Sequence, residues 1–205
     1  MILSDREILA ALARQAMFLT PCPPGGSLDW TSTALDLTLD AEIRPWDGER
    51  LPATMIVDPI AADFSTNELI REHTQPHDCS NGFVVPPKML VLGWTVEKLK
   101  LPSASKIAAR VEGKSSLARL GLGIHVTAPT IHAGFGFDDR NPEYDGSPIR
   151  LEIWNFGPLH IKLTKGMPIC QLIFEEVHGT PEKGYAGQFR LQGPVAPRPR
   201  PARRK

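Results

Sequence analysis

From residue 83 to residue 177 the chain is a succession of short β-rich runs, at 83–85, 89–97, 106–109, 124–126, 150–156, 160–163 and 169–177. Runs of this length, rich in Val, Ile, Leu and Phe and bounded by turn residues, read as strands. Seventeen glycines and twenty prolines among 205 residues punctuate the chain and leave little room for continuous helix. No β-α-β rhythm and no Gly-x-Gly-x-x-Gly segment is present, which argues against a doubly wound dinucleotide-binding sheet. The expected fold is mainly β, a barrel or jelly roll with short helices. An apolar content of 41% is enough for one core and fits one domain over residues 1–193 better than two.

The remaining elements are fewer. Ser4 and Glu7 have capping-box spacing, and Ile8, Leu9, Leu12 and Ala13 form an apolar stripe running on to Met17, so the N-terminus predicts a helix ended by the Pro21–Gly26 region. In 33–39, Leu35, Leu37 and Leu39 alternate with Asp36, as in a half-buried strand. Residues 50–80 are polar and broken by Pro52 and Pro59, and predict loops with short strands. Residues 116–120 predict one short helix, capped by Ser116 and ended by Gly121.

The formal charge is zero, but Arg198, Arg200, Arg203, Arg204 and Lys205 all lie in the Pro-rich segment 194–205, leaving residues 1–193 at net −5. A body of that sign gives no general reason to bind nucleic acid, and the tail reads as a disordered, solubilising end. Three widely spaced cysteines, Cys22, Cys79 and Cys170, form neither a disulfide framework nor a zinc knuckle, so a reducing, cytoplasmic setting is expected. Charges at Asp5, Arg6, Glu7 and Arg14 argue against a signal peptide, and no apolar run approaches membrane-spanning length.

Gly113-Lys114-Ser115 invites a P-loop reading that fails on spacing, because Ala108 stands where the first glycine is required. What remains between Glu112 and Leu122 is a hydroxyl-rich, basic turn. It is either a phosphate site, with Lys114 and Arg119 as cations and Ser115 and Ser116 as donors, or a solvated charged turn. Strict alternation over 149–156 puts Arg150, Glu152, Trp154 and Phe156 on one face. Glu152 is then either a partly desolvated carboxylate with the raised pKa of a general base, or an exposed acid beside an aromatic pair. Neither the His-x-Glu nor the Pro-Cys-x-x-Cys pattern of zinc deaminases is present, and no protein-bound metal is expected. Asp138, Asp139, Glu143 and Asp145 miss EF-hand spacing and read as a solvated acidic hairpin.

The run from Gly113 to Leu122, followed by His125-Val126-Thr127-Ala128, resembles the signature of the dCTP deaminase family, which shares the trimeric dUTPase fold. The resemblance extends to Met1–Ile8, Ser32–Leu37, Pro87–Glu97 with Leu101-Pro102, Leu151-Glu152, Asn155 and Gly166–Leu172, and is weakest at about 45–80. It implies a homotrimer with intersubunit sites that hydrolyses dCTP to dUTP and ammonia, with Mg2+ carried on the triphosphate and no zinc. By the same resemblance Glu152 is the general base, and Ser115 and Arg119 position water and stabilise charge at the cytosine ring. Lys114, where the family usually has arginine, and Ser116 would contact substrate; Thr127 and Ala128 would lie against the base; Gln171 would lie near phosphate or a subunit contact. Tyr185, Gln188 and Gln192-Gly193-Pro194 resemble a C-terminal lid over about 180–193.

The departures are equally specific. An aspartate that contacts the sugar in the family is missing. Ile131-His132 stands there, unless the apparent insertion 135–148 shifts Asn141 into its place. Two alternatives to dUTP formation therefore stay open: dUTP diphosphate hydrolysis, alone or coupled to deamination, and a catalytically inactive nucleotide-binding regulator.

Overall fold

The computed structural model describes residues 1–48, 51–52, 54–125, 127–141, 143–179, 187, 189 and 191–193. Helix α1, Asp5–Ala13, begins as the sequence predicts: Glu7 N donates to Ser4 Oγ, and Ser4 N donates to Glu7 Oε2 at 2.8 Å. It stops at Ala13, short of Met17, because Arg14 leaves the helix and Gln15 turns into the left-handed region at φ 58°. The buried Met17 then leads into β1, Phe18–Thr20.

Strands β2 (Leu35–Thr38) and β3 (Glu42–Pro45) precede α2 (Thr66–His73), and β4 (His77–Asp78), β5 (Phe83–Val85) and β6 (Leu90–Lys100) follow it. β7 (Ile107–Gly113) runs into the single-turn α3 (Ser115–Ala118), and β8 (Leu122–Ile124), β9 (Thr130–Ile131), β10 (Ser147–Asn155), β11 (Ile161–Leu163) and β12 (Pro168–Glu176) complete the order. Helix α2 departs from the loops expected for 50–80. Ser65 Oγ accepts from Glu68 N at 3.3 Å, and Ile70 is buried beneath the helix. α3 begins at Ser115, with Lys114 rather than Ser116 in the capping position and no side-chain cap.

The strands form a sheet in the order β4-β3-β6-β10-β8, with β1 also on β6; a second in the order β2-β12-β7-β9; and the pair β11-β5. All these pairings are antiparallel. The expectation of a mainly β chain with short helices is met, but that of a barrel or jelly roll is corrected, since the sheets do not close. Of their four outer strands, β4, β8 and β9 are only two or three residues long and β2 has four, so the ladders end before they could pair around a circle. Among the described residues the two larger sheets share the isolated bridge Leu39–Thr95 instead of a ladder.

Alternation decides which side chains fill the space between the sheets. On β10, Ile149, Leu151, Ile153 and Asn155 are buried while Arg150, Glu152 and Trp154 face away from that layer. Asn155 is accommodated because its amide is fully used: Nδ2 donates to Val85 O and Leu159 O at 2.9 and 2.7 Å, and Oδ1 accepts from Gly157 N at 3.1 Å. Asp36 departs from the half-buried pattern, being 8% exposed on a strand covered on both sides. The chain crosses from the second sheet to the first through α3, and Gly121 ends that crossing at φ +90°.

Candidate functional site

Glu152 projects from the middle of β10 into a cavity of about 280 Å³, with His125, Ala128, Ile131, His132 and Arg150 also on its walls. Leu92, Ile149, Ile70 and Phe135 supply apolar surface, and Phe189 and Gln192 bring the C-terminal segment against it. The wall beside Glu152 is built by the end of the neighbouring strand β8. There Ile124 pairs with Ile153, after which His125 takes φ 54° and its N–H donates to Glu152 O at 2.9 Å. A non-glycine residue in that conformation is strained, and such residues cluster at functional sites.

The turn directs the imidazole inward. His125 Nε2 lies 3.5 Å from Glu152 Oε2, and neither this oxygen nor His125 Nδ1 has a hydrogen-bond partner among the described residues. Burial pushes the His125 pKa down, and the Glu152 charge opposes that only in part. A neutral imidazole therefore faces a carboxylate oxygen that is shielded from water and has no donor among the described residues.

The aromatic pair expected to desolvate Glu152 is displaced from it. Trp154 and Phe156 stack with ring centroids 5.3 Å apart, but they are 38% and 60% exposed and do not line the cavity. Glu152 keeps a side chain 36% exposed, with only its Oε2, the oxygen facing His125, withdrawn from water.

The predicted site residues fall into two groups. Glu152, Ala128, Ile131 and His132 line one cavity, with Thr127 exposed beside it in the chain. Lys114, Ser115, Ser116 and Arg119 lie at α3 and do not line that cavity; Ser115, Ser116 and Arg119 are exposed. Lys114 Nζ is hydrogen-bonded to Asp36 Oδ2, and Gln171 Nε2 donates to Asp36 Oδ1 at 2.9 Å, so one carboxylate ties together two of the expected substrate contacts. Sequence reasoning gave Asp36 no such role, because its partners come from positions 78 and 135 residues away. Tyr185, Gln188, most of the lid and the tail 194–205 lie outside the described residues.

Thr66, Ile70, Phe135, Arg150 and Phe189 were not foreseen as cavity residues. For Arg150 the alternation of β10 carried the signal, since it places Arg150 on the same face as Glu152. The described residues of 138–145 are largely solvent-facing, with Lys98 Nζ 2.8 Å from Asp145 Oδ2. Among the described residues no group of three or more His, Cys, Asp or Glu is placed to hold a metal ion, and no helix is long and apolar enough to cross a membrane.

Comparison with known proteins places this geometry in context. The sequence model of the dCTP deaminase-like family matches residues 2–177. A protein of Nocardioides sp. named "dCTP deaminase, dUMP-forming" is 34% identical over 97% of this chain and 94% of its own length. One of the same name from Clavibacter michiganensis is 35% identical over 96% of this chain and 88% of its own. The crystal structure of 2'-deoxycytidine 5'-triphosphate deaminase from Agrobacterium tumefaciens shares the fold, with a TM-score of 0.61 at 20% identity. That match covers 86% of this chain and 48% of the Agrobacterium chain.

The relatives' names overturn dUTP as the expected end product. Forming dUMP requires, besides loss of the 4-amino group, cleavage of the bond between the α- and β-phosphates. With 2–177 matched and relatives above 30% identity over nearly their full length, the chain belongs to the dCTP deaminase-like family, a family of nucleotide-hydrolysing enzymes.

Proposed function

We propose that this chain converts dCTP and two waters into dUMP, ammonia and diphosphate. One water adds at C4 of the cytosine and the amino group leaves as ammonia; the other attacks the α-phosphorus and diphosphate departs. The observation that carries the reading is the Glu152 carboxylate in its cavity, with Oε2 buried, without a donor, and 3.5 Å from His125 Nε2. A proton acceptor held in this way suits activation of water at the ring. The names of the relatives supply the substrate and the product.

In this reading Ser115 and Arg119 position the water and stabilise charge at the ring, and Lys114, Ser116 and Gln171 hold phosphate. Thr127 and Ala128 lie against the base, and Ile131 and His132 against the sugar. Lys114 supplies a cation without the planar fork of arginine, and Asp36 fixes its position. Mg2+ would travel with the triphosphate, held by phosphate oxygens. Tyr185 and Gln188 belong to the lid.

Because α3 does not line the Glu152 cavity of its own chain, the site is completed by a neighbouring copy in a homotrimer. Exposed apolar side chains support burial of that surface on assembly, among them Leu120 beside α3 and Trp154 and Phe156 at the end of β10. Purified protein given Mg2+ and dCTP is expected to release ammonia, and Glu152→Gln to lower kcat by about 10²- to 10⁴-fold. Tight dCTP binding with no ammonia, unaltered by E152Q, would contradict the proposal and identify a nucleotide-binding protein instead.

A further inference from the structure

We propose that Arg150 is an anion-binding residue of the Glu152 cavity, its guanidinium taking phosphate oxygens of the nucleotide. The assignment rests on the nucleotide reading above and adds a cation outside the α3 turn. Arg150 stands two residues before Glu152 on β10, directly across from Trp94 on β6. Its guanidinium carbon lies 4.4 Å from the centroid of the Trp94 ring, which is itself buried.

Arg44, a buried arginine of the same sheet, shows what a purely structural guanidinium does: its Nε is 2.7 Å from Glu42 Oε1. The Arg150 guanidinium has no hydrogen bond and no carboxylate partner among the described residues, and Glu152, on the same face, is not ion-paired with it. Half-burying such a group with only a ring face for company is costly, unless a ligand completes it. Burial pushes the guanidinium pKa down, the Glu152 charge opposes this, and the group stays protonated.

The guanidinium borders two spaces at once, the Glu152 cavity and a neighbouring one of about 200 Å³. Leu191, Gln192 and Gly193 bound the second. Gln192 fastens this segment over the arginine: its Oε1 accepts from Arg150 N at 3.0 Å, and its N donates to Ser147 Oγ at 2.9 Å. A phosphate in this space matches both the charge and the planar fork of the guanidinium. Two strand residues span about 7 Å. A ligand whose reacting ring meets Glu152 can therefore bring a phosphate to Arg150.

The test uses inorganic tripolyphosphate, so that binding is read without turnover. Calorimetric titration of the full chain is expected to show saturable binding that is about 10- to 100-fold weaker in Arg150→Met, which keeps an apolar stem on Trp94. Titration of wild type should also change tryptophan fluorescence, and Trp94→Phe should lose most of that change. Arg150→Lys, retaining charge without the fork, should fall between wild type and R150M, and it decides the matter if circular dichroism shows R150M unfolded. In steady state R150M should raise KM for dCTP far more than it lowers kcat. Wild-type affinity in the folded variant, or no tripolyphosphate binding by wild type, overturns the assignment. Arg150-dependent binding without ammonia release from dCTP overturns only the deaminase reading.

Discussion

Replacing Gly121 by alanine tests how the crossing between the sheets is built. Gly121 ends α3 at φ +90°, and a Cβ placed there would meet Gly157 Cα at 2.4 Å and Gly157 N at 2.5 Å. Ordinary carbon contacts lie at about 3.5–4.0 Å, so two backbone segments would have to separate by more than an ångström. The left-handed conformation costs a non-glycine residue about 1–2 kcal/mol, and relieving the overlap costs about 1–3 kcal/mol. Separation also strains the Phe156 N to Gly121 O hydrogen bond of 2.7 Å, worth about 1 kcal/mol. Together these predict a loss of about 3–6 kcal/mol, a large share of ordinary domain stability. For a chain of this size that corresponds to a Tm lowered by roughly 6–24 °C.

Calorimetry and urea unfolding of G121A at fixed protein concentration measure the loss. Gly157→Ala should behave alike, because its Cβ would meet Leu120 O at 2.3 Å. The double variant should cost much less than the sum, since either change opens the same contact. A loss below about 1 kcal/mol in G121A would refute the reasoning, given that the conformational cost at φ +90° alone reaches that value.

Three further outcomes follow from the geometry. Burial holds His125 below its ordinary pKa of 6.5, so below that pH the unfolded chain binds a proton that the folded chain refuses, and stability falls on acidification. His125→Gln should flatten urea-measured stability between pH 6.5 and 5, and a slope equal to wild type would contradict this. Burial raises the Glu97 pKa above 4.5, so above that pH the unfolded chain has lost a proton that the folded chain retains, and stability falls as pH rises through the folded value. Glu97→Gln keeps partners for Thr38 N and Oγ1, and should match or exceed wild-type stability at pH 7, with the difference vanishing below pH 4.5; a destabilised variant at pH 7 would be the contrary result. Finally, mixing and refolding inactive Glu152→Gln and Arg119→Met chains should restore part of the activity if α3 of one copy completes the cavity of another, and mixtures as inactive as their components would exclude shared sites.

Local signals carried much of the architecture. The Ser4–Glu7 spacing located α1 because a capping box is complete within four residues. The two-residue period of 149–156 sorted the faces of β10 correctly, and with them the side of the sheet that holds Glu152. α2 carried a similar start signal in Ser65 and Glu68, but only Ile70 is fully buried, so the apolar stripe was too weak to stand out in a polar segment. Sheet closure was not legible, because it depends on whether two- and three-residue edge strands find partners. Nor was the Asp36, Lys114 and Gln171 cluster, assembled from β2, the start of α3 and β12. The signature 113–128 was easy to find, yet its residues divide between the α3 turn and the Glu152 cavity, a separation that sequence order conceals.

The proposed reaction acts at both ends of one nucleotide, so the decisive measurement follows both together. With Mg2+ and dCTP as sole substrate, ammonia, diphosphate and the nucleotide product are quantified over the same time course. dUMP, ammonia and diphosphate should form in equal amounts, with all three lost in E152Q. Accumulation of dUTP without diphosphate, or diphosphate released from dCTP without ammonia, would contradict it.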